Sequence, residues 1–196
     1  MLNIFYGCSS LTALALPNQL EQIGISVFSG CSALTSIIIP NNVTSIGDSA
    51  FSACTNLTTI SFPNGLTNIG DYAFSCCVSL PSPSLPNSLR TIGANAFEYC
   101  IFSSIELPKG LTIIGPRVFY GNYDLSYISI PPSLVEIGDN FFNMNNLTLD
   151  ISDVSAWCKV KINSEIDYGP YKLYLNGNEI NDLIIPNDVR FISEFC

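Results

Sequence analysis

A phenylalanine recurs along this chain at Phe5, Phe28, Phe51, Phe74, Phe97, Phe119 and Phe142, in steps of 23, 23, 23, 23, 22 and 23 residues. Glycine keeps the same interval at Gly24, Gly47, Gly70, Gly93, Gly115 and Gly138, and proline keeps it at Pro17, Pro40, Pro63, Pro86, Pro108 and Pro131. A unit of this length is too short to bury its own apolar face. The period therefore predicts units stacked into a solenoid around one continuous core. A stacked array offers a long surface rather than one enclosed cleft. The expected class of function is binding or display, not catalysis.

Composition narrows this further. Of the 196 residues, 47% are hydrophobic and 12% charged, which is too apolar for a disordered chain. No run approaches the ~18 apolar residues of a membrane-spanning helix, so direct membrane insertion is not expected. The net charge of −9 repels a phosphate backbone and an anionic lipid surface alike, which removes nucleic acid as an expected partner. Histidine is absent. The commonest general base and the commonest metal ligand are thus both missing, and no cofactor is expected.

Met1 is followed at once by mid-repeat sequence, and the repeat that opens at Ile185-Pro186 stops at Cys196. Neither end carries the polar cap that a solenoid terminus needs. The expectation is a fragment of a longer protein, with any secretion signal or anchor outside it.

The clearest unit runs from Pro40 to Phe62. Leu34, Ile37 and Ile39, then Leu57, Ile60 and Phe62, follow an L-x-x-I-x-I spacing that predicts a short strand with one face inward. Proline ends it, having no N–H for a ladder. Val43 to Gly47 reads as a second extended segment closed by glycine. Asp48, Asp71 and Asp139 then stand where an N-cap would begin one helical turn carrying Ala-Phe. The phenylalanines Phe28, Phe51, Phe74, Phe97 and Phe119 are expected to fill the core. Three residues after each phenylalanine sits Cys8, Cys31, Cys54, Cys77 or Cys100, and then Asn122 and Asn145.

The pattern I-P-x-x-[LV]-x-x-I-G-x-x-A-F-x-x-C-x-x-L-x-x-I resembles the BspA-like leucine-rich repeat family over about residues 1–151. Residues 152–179, with Trp157 and Lys172-Leu173-Tyr174-Leu175-Asn176-Gly177, resemble the non-repeat insert of such arrays, and a further repeat opens at 180–196. The resemblance implies a leucine-rich repeat solenoid: a right-handed curved β/α superhelix with a concave parallel β-sheet and short helical or extended convex segments. It also implies a secreted or cell-surface protein of a host-associated bacterium or parasitic protist. Such a protein adheres through a protein or glycan ligand on host matrix or other cells.

Two departures stand out. Pro81 and Pro83 invade the strand of the fourth turn, where pairing should fail and the array has room to bend. The fifth turn is one residue short between Cys100 and Phe102. In the insert, Asn176-Gly177 between apolar alternation predicts a type I′ hairpin, either as an edge strand or as a flap.

The cysteines, carboxylates and sequons each admit more than one chemistry. Disulfides along the cysteine ladder are disfavoured because a ladder aims its side chains in parallel. Zinc needs four converging ligands and there is no C-x-x-C here, so the ladder reads as reduced and structural. Cys76, Cys158 and Cys196 are extra, and Cys76 reads as an exposed or half-buried thiol. A nucleophilic cysteine lacks its histidine. A glycosidase carboxylate pair or a calcium ladder at Asp48, Asp71 and Asp139 competes with plain capping. The sequons at Asn42, Asn56 and Asn146 compete with the general abundance of Asn and Thr.

The best candidate surface is the outward face of the L-x-x-I-x-I strands. Its residues are Thr35, Ser36, Ile38, Thr58, Thr59, Ser61, Ser103, Ser104, Glu106, Ser126, Tyr127 and Ser129, with Thr12, Ala13, Ala15, Pro81, Ser82 and Ser84 in the remaining turns. Ile38 and Tyr127 are the expected anchors. A non-enzymatic adhesin-like interaction module is the leading expectation. An intracellular scaffold or secreted effector using the same face is the alternative, and a passive stalk a third. An enzyme would instead need a deep pocket with convergent polar groups, and none is expected along the repeats.

Overall fold

The computed structural model describes residues 4–141, 146–163, 172–182, 184–187 and 189. Strands follow in chain order as β1 (Gln22–Ile23), β2 (Ser36–Ile38), β3 (Ser45–Ile46), β4 (Thr59–Ser61), β5 (Asn68–Ile69), β6 (Thr91–Ile92) and β7 (Ser104–Glu106). After them come β8 (Ile113–Ile114), β9 (Tyr127–Ile130), β10 (Glu136–Ile137), β11 (Thr148–Ile151), the single helical turn α1 (Val154–Trp157), β12 (Lys161–Ile162), β13 (Lys172–Leu175) and β14 (Asn178–Glu179). The chain is a parallel β-solenoid with almost no helix.

The V-x-x-I-G stretches supply one seven-stranded parallel sheet, β1-β3-β5-β6-β8-β10-β12. Each strand steps one coil along, so Ile23, Ile46, Ile69, Ile92, Ile114, Ile137 and Ile162 stand in register. All seven are buried. A branched side chain that repeats in register packs on its own copy, which is the cheapest way to extend a core without changing its shape.

The L-x-x-I-x-I strands form the other face, and here the prolines act as expected. β2 pairs with β4, and β7, β9, β11 and β13 form a parallel run, but no strand bridges β4 to β7. Pro81 and Pro83 have no N–H for the ladder. The hydroxyl of Ser82 instead donates to the carbonyl of Ser104 in the next coil. The seven-stranded sheet runs through the same coil unbroken, so one side of the stack carries the continuity that the other lacks. β14 folds back antiparallel on β13 through Asn176 (φ 51°) and Gly177 (φ 79°), the two positive values a type I′ turn requires. Of the two placements open to this hairpin it takes the edge strand, since β13 pairs in parallel with β11. β12 likewise extends the seven-stranded sheet.

The helical turn expected after Asp48 and Asp71 is absent: residues 48–53 and 71–76 are stacked turns, while the turn expected after Asp139 runs beyond the described residues. The N–H groups of Ser49, Phe51 and Ala53 donate to the carbonyls of Asp71, Ala73 and Ser75 in the next coil at 2.7, 2.8 and 2.8 Å. A helix would spend those donors within its own chain. Here Ser49 (φ 54°) and Ala53 (φ 58°) adopt the left-handed region, which aims the donors along the stack. A left-handed L-residue costs ~1–2 kcal/mol; the turns that begin at Ser26, Ser49, Tyr72 and Asn95 each recover three main-chain hydrogen bonds to the next coil that would otherwise be orphaned. The aspartates cap the neighbouring coil rather than a helix. Asp48 accepts from the N–H of Asp71 at 2.9 Å, and Asp71 from the N–H of Ala94 at 2.7 Å. Asp139 joins through its main-chain carbonyl, which accepts from Arg117 at 2.8 Å. Among the described residues, α1 alone has a capped helical start, where Asp153 accepts from the N–H of Ala156.

Phenylalanine rings stack along the core. Ring centroids lie 5.4 Å apart for Phe5–Phe28, 5.2 Å for Phe28–Phe51 and Phe51–Phe74, 5.3 Å for Phe74–Phe97 and 6.1 Å for Phe97–Phe119. Interplanar angles of 4° to 15° make this an offset stack, worth ~0.5–1.5 kcal/mol per pair beyond the area buried. Phe142 lies outside the described residues. Its neighbour Phe141, in register with Ala50, Ala73, Ala96 and Val118, is buried with its ring edge-on to Phe119 at 5.7 Å. Phe102 explains the short fifth turn. It stands at the buried leucine position of the other coils, with its ring 5.3 Å from Phe97 and 6.0 Å from Phe119.

The repeated glycine follows from close approach. A Cβ at Gly47 would lie 2.9 Å from both the carbonyl carbon of Gly24 and the nitrogen of Ile25. At Gly93 it would lie 2.6 Å from the nitrogen of Asp71.

Two outcomes are expected. Gly93→Ala should cost ~1–3 kcal/mol by forcing the coils apart, read as a lowered denaturant midpoint; an unchanged midpoint would contradict the close stacking. Phe74→Ala removes the ring flanked by Phe51 and Phe97 and should cost ~3–5 kcal/mol. Because coils are coupled to nearest neighbours, unfolding should then split near the proline-broken fourth turn. A single cooperative melt near the parent midpoint would refute this.

Candidate functional site

The alternation that buries Ile37, Ile105 and Ile128 turns their neighbours outward. Thr35, Ser36, Ile38, Thr58, Thr59, Ser61, Ser103, Ser104, Glu106 and Ser126 are exposed, while Tyr127 and Ser129 are half-buried. Register aligns Ser36 with Thr59, Ile38 with Ser61, Ser104 with Tyr127, and Glu106 with Ser129. The prolines divide the face between the third and fifth coils.

The outward hydroxyls are of two kinds. Thr35, Thr58 and Ser126 donate to the carbonyls of Thr12, Thr35 and Ser103 in the preceding coil at 3.4, 3.1 and 3.2 Å. That column staples the stack. The hydroxyls of Ser36, Thr59, Ser61 and Ser104 have no protein partner among the described residues. Ile38, 75% exposed, lines an open depression of about 480 Å³ with Ala13, Ala15, Leu16 and Pro40. It holds no ionisable group.

Beyond Ser129 the face turns acidic. Tyr127 donates its hydroxyl to Asp150 at 2.9 Å. Burial, then that hydrogen bond and the charges of Asp150 and Glu106, push its phenol up to about 12. Asp150 also accepts from the N–H of Gly177 at 3.0 Å, which ties the hairpin to the face. Tyr174 donates to Glu179 at 3.4 Å, and Lys172 pairs with Glu179 at 3.6 Å. Asp150, Tyr174 and Glu179 escaped the sequence reading. The signal lay in T-L-D-I (148–151) and K-L-Y-L (172–175), whose alternation repeats that of Y-I-S-I at 127–130. A depression of about 660 Å³ at this end is lined by Leu175, Glu179, Asp182 and Ile184 among others. It is shared between the hairpin and residues 180–182 and 184, where the further repeat is expected to open, and Glu179 there is held by Lys172 and Tyr174.

The cysteine column has its own geometry. Cys31, Cys54, Cys77 and Cys100 donate their thiols to the carbonyls of Phe5, Phe28, Phe51 and Phe74 at 3.1, 3.2, 3.2 and 3.4 Å. Asn122 in the same slot donates to Phe97 at 2.8 Å and to Phe119 at 3.0 Å, and accepts from the N–H of Phe102 at 3.1 Å. The slot thus requires a small donor aimed at the preceding phenylalanine carbonyl, which both side chains supply. All described cysteines are free. Burial pushes the thiols of Cys31, Cys77 and Cys100 up, and that of Cys54 up to about 12 with a further contribution from Cys31. Such thiols are inert. Cys76 is half-buried beside the Ser75 hydroxyl at 3.7 Å. Asn145 and Cys196 lie outside the described residues. No three His, Cys, Asp or Glu side chains converge on a metal position among the described residues, and no described helix is long and apolar enough to cross a membrane. Asn42, Asn56 and Asn146 are all exposed, and Asn42 spends its amide on the carbonyl of Asn18 at 2.9 Å.

The sequence matches the BspA type leucine rich repeat region, in 6 copies, over residues 2–100 and 91–196. Among solved structures, the leucine rich repeat protein TpLRR of T. pallidum is 31% identical, with 69% of this chain and 66% of that one covered and a TM-score of 0.64. A leucine rich cell surface protein from Faecalibacterium prausnitzii is 26% identical, covering 80% of this chain and 44% of that one, with a TM-score of 0.68. A leucine-rich repeat protein from Bacteroides ovatus is 25% identical over 80% of this chain and 56% of that one, with a TM-score of 0.53. The chain spans two thirds of the first of these relatives and about half of the other two. No curated protein sequence matches it significantly.

The thiol column sets a pH dependence. A free thiol ionises near 9.0, whereas Cys54 holds its proton to about 12. The folded-state value is raised, so this contribution to stability is complete below pH 9 and is lost as pH rises from about 9 towards 12. Thermal midpoints should be flat from pH 7 to 8.5 and fall above 9, with a shallower fall in Cys54→Asn. An equal alkaline slope in that variant would dissociate the loss from the thiol.

Proposed function

This chain belongs to the BspA-type leucine-rich repeat family, and on that premise we propose that it is a non-enzymatic interaction module of a cell-surface or secreted adhesin-like protein. The ligand is a protein or glycan of host matrix or of other cells, held on the outward face of strands β2, β4, β7, β9 and β11. The carrying observation is the row of outward groups with no structural duty: Ser36, Thr59, Ser61 and Ser104 keep free hydroxyls, and Ile38 and Glu106 stand exposed beside them. A solenoid that needed only to stack would tie them as it ties Thr35, Thr58 and Ser126. The surface location draws support from the Faecalibacterium prausnitzii relative, which is itself named a cell surface protein. The division into an array (1–151), an insert (152–179) and a resuming repeat (180–196) belongs to the same proposal, with the insert closing the array's acidic end.

A passive stalk is the competing reading, favoured by the stapling column of hydroxyls. A binding screen against extracellular-matrix proteins and mucin glycans separates the two. The parent should give a saturable hit that the Glu106→Ser/Tyr127→Ser variant loses. Binding retained in that variant would move the ligand off this face, and no binding to any panel member would favour the stalk.

A further inference from the structure

One corner of the coil changes character along the array. The residue after each cysteine slot is Ser32, then Thr55, then Val78, Ile101 and Tyr123. The last three are 49%, 51% and 82% exposed. In the adjoining column the backbone is left-handed throughout: Gly7, Gly30, Ala53, Cys76, Tyr99 and Gly121 all have positive φ. Small residues suit that conformation, yet the fifth coil places a tyrosine there with φ 53°. The Tyr99 ring lies over Gly121, where any Cβ would collide with it. The ring of Tyr120 meets it edge-on at 5.7 Å and 82°. A bulky aromatic is thus held exposed, against local backbone preference, on a seat prepared by the next coil. The left-handed turn itself serves the stack, as at Ala53, since the Tyr99 N–H donates to the carbonyl of Tyr120 at 2.8 Å; it is the exposed patch of tyrosine and aliphatic side chains that marks a contact surface.

Charge selects the occupant. Residues 98–106 and 120–129 contain no lysine or arginine. Glu98 precedes Tyr99 and exposed Asp124 follows Tyr123 in the chain, and Glu98 already orders one oxygen on the Ser75 hydroxyl at 3.2 Å. We propose that this tyrosine corner docks an arginine-bearing segment of a partner protein. A guanidinium stacks its plane on a tyrosine face while its N–H fork meets a carboxylate, and the net charge of −9 draws such a segment in. The corner adjoins the outward face but shares none of the residues assigned to it above.

The test uses fluorescence anisotropy with a labelled Arg-Gly-Arg-Gly-Arg peptide and its lysine counterpart near physiological salt. Saturable binding is expected, tighter for arginine. It should weaken about tenfold in Tyr123→Ala and in Tyr99→Ala, neither of which alters charge, and also in Glu98→Gln/Asp124→Asn. The Tyr123 ring packs little against the fold, so that variant stays informative even if Tyr99→Ala unfolds. Glu106→Ser/Tyr127→Ser should bind the peptide as the parent does. Unchanged affinity in Tyr123→Ala, or equal affinity for the lysine peptide, overturns the proposal. Loss confined to Glu106→Ser/Tyr127→Ser would also overturn it and would credit the outward face alone. Saturation of the corner by neutral oligosaccharides with no peptide binding would replace the arginine segment with a glycan.

Discussion

Main-chain hydrogen bonding between consecutive coils governs this molecule. Each coil hands donors and acceptors to its neighbours, in the turns as well as in the strands, at offsets of 21 to 24 residues through the repeats and 25 or 26 across the insert. Orphaned buried backbone groups cost too much for any coil to drift. The close approach this enforces leaves no space for a side chain at Gly47 or Gly93. It puts Phe28 to Phe119 in one stack and gives the cysteine slot a carbonyl to bind. It also explains the left-handed residues at Ser49 and Ala53: the turn is shaped to serve the neighbouring coil, not itself.

The irregular coils show how much local failure such a lattice absorbs. Two prolines open the sheet between β4 and β7, but the seven-stranded sheet on the other side is uninterrupted and Ser82 spans to Ser104 by its side chain. The residue missing from the fifth turn is compensated by the larger Phe102. Asn122 replaces a thiol with an amide that makes three hydrogen bonds where the thiol makes one. In each case the main-chain register survives and the side chains adapt around it.

Function is free to vary only where stacking makes no demand. On the outward face Thr35, Thr58 and Ser126 are spent on inter-coil bonds, while Ser36, Thr59, Ser61 and Ser104 are open and the face drifts from serine and threonine to glutamate, tyrosine and aspartate. The corner column drifts in parallel from serine to valine, isoleucine and tyrosine. Both gradients run along the array in the same direction, so its two ends present different chemistry on one scaffold.

The sequence by itself determined the repeat length, the alternation that makes the strands, the phenylalanine core and the outward set from Thr35 to Ser129, because each is a periodic consequence of burial. It also located the broken fourth turn, since proline lacks a donor in any context. Tertiary structure decided the rest. The predicted helical turns became stacked turns because Asp48 and Asp71 find better donors in the next coil than in their own. The partner of Tyr127, the hairpin anchored on Asp150 and the seat of Tyr99 on Gly121 join residues 22 to 27 positions apart. Which side chains meet across coils depends on rotamer and stacking offset, and neither is written in the local pattern.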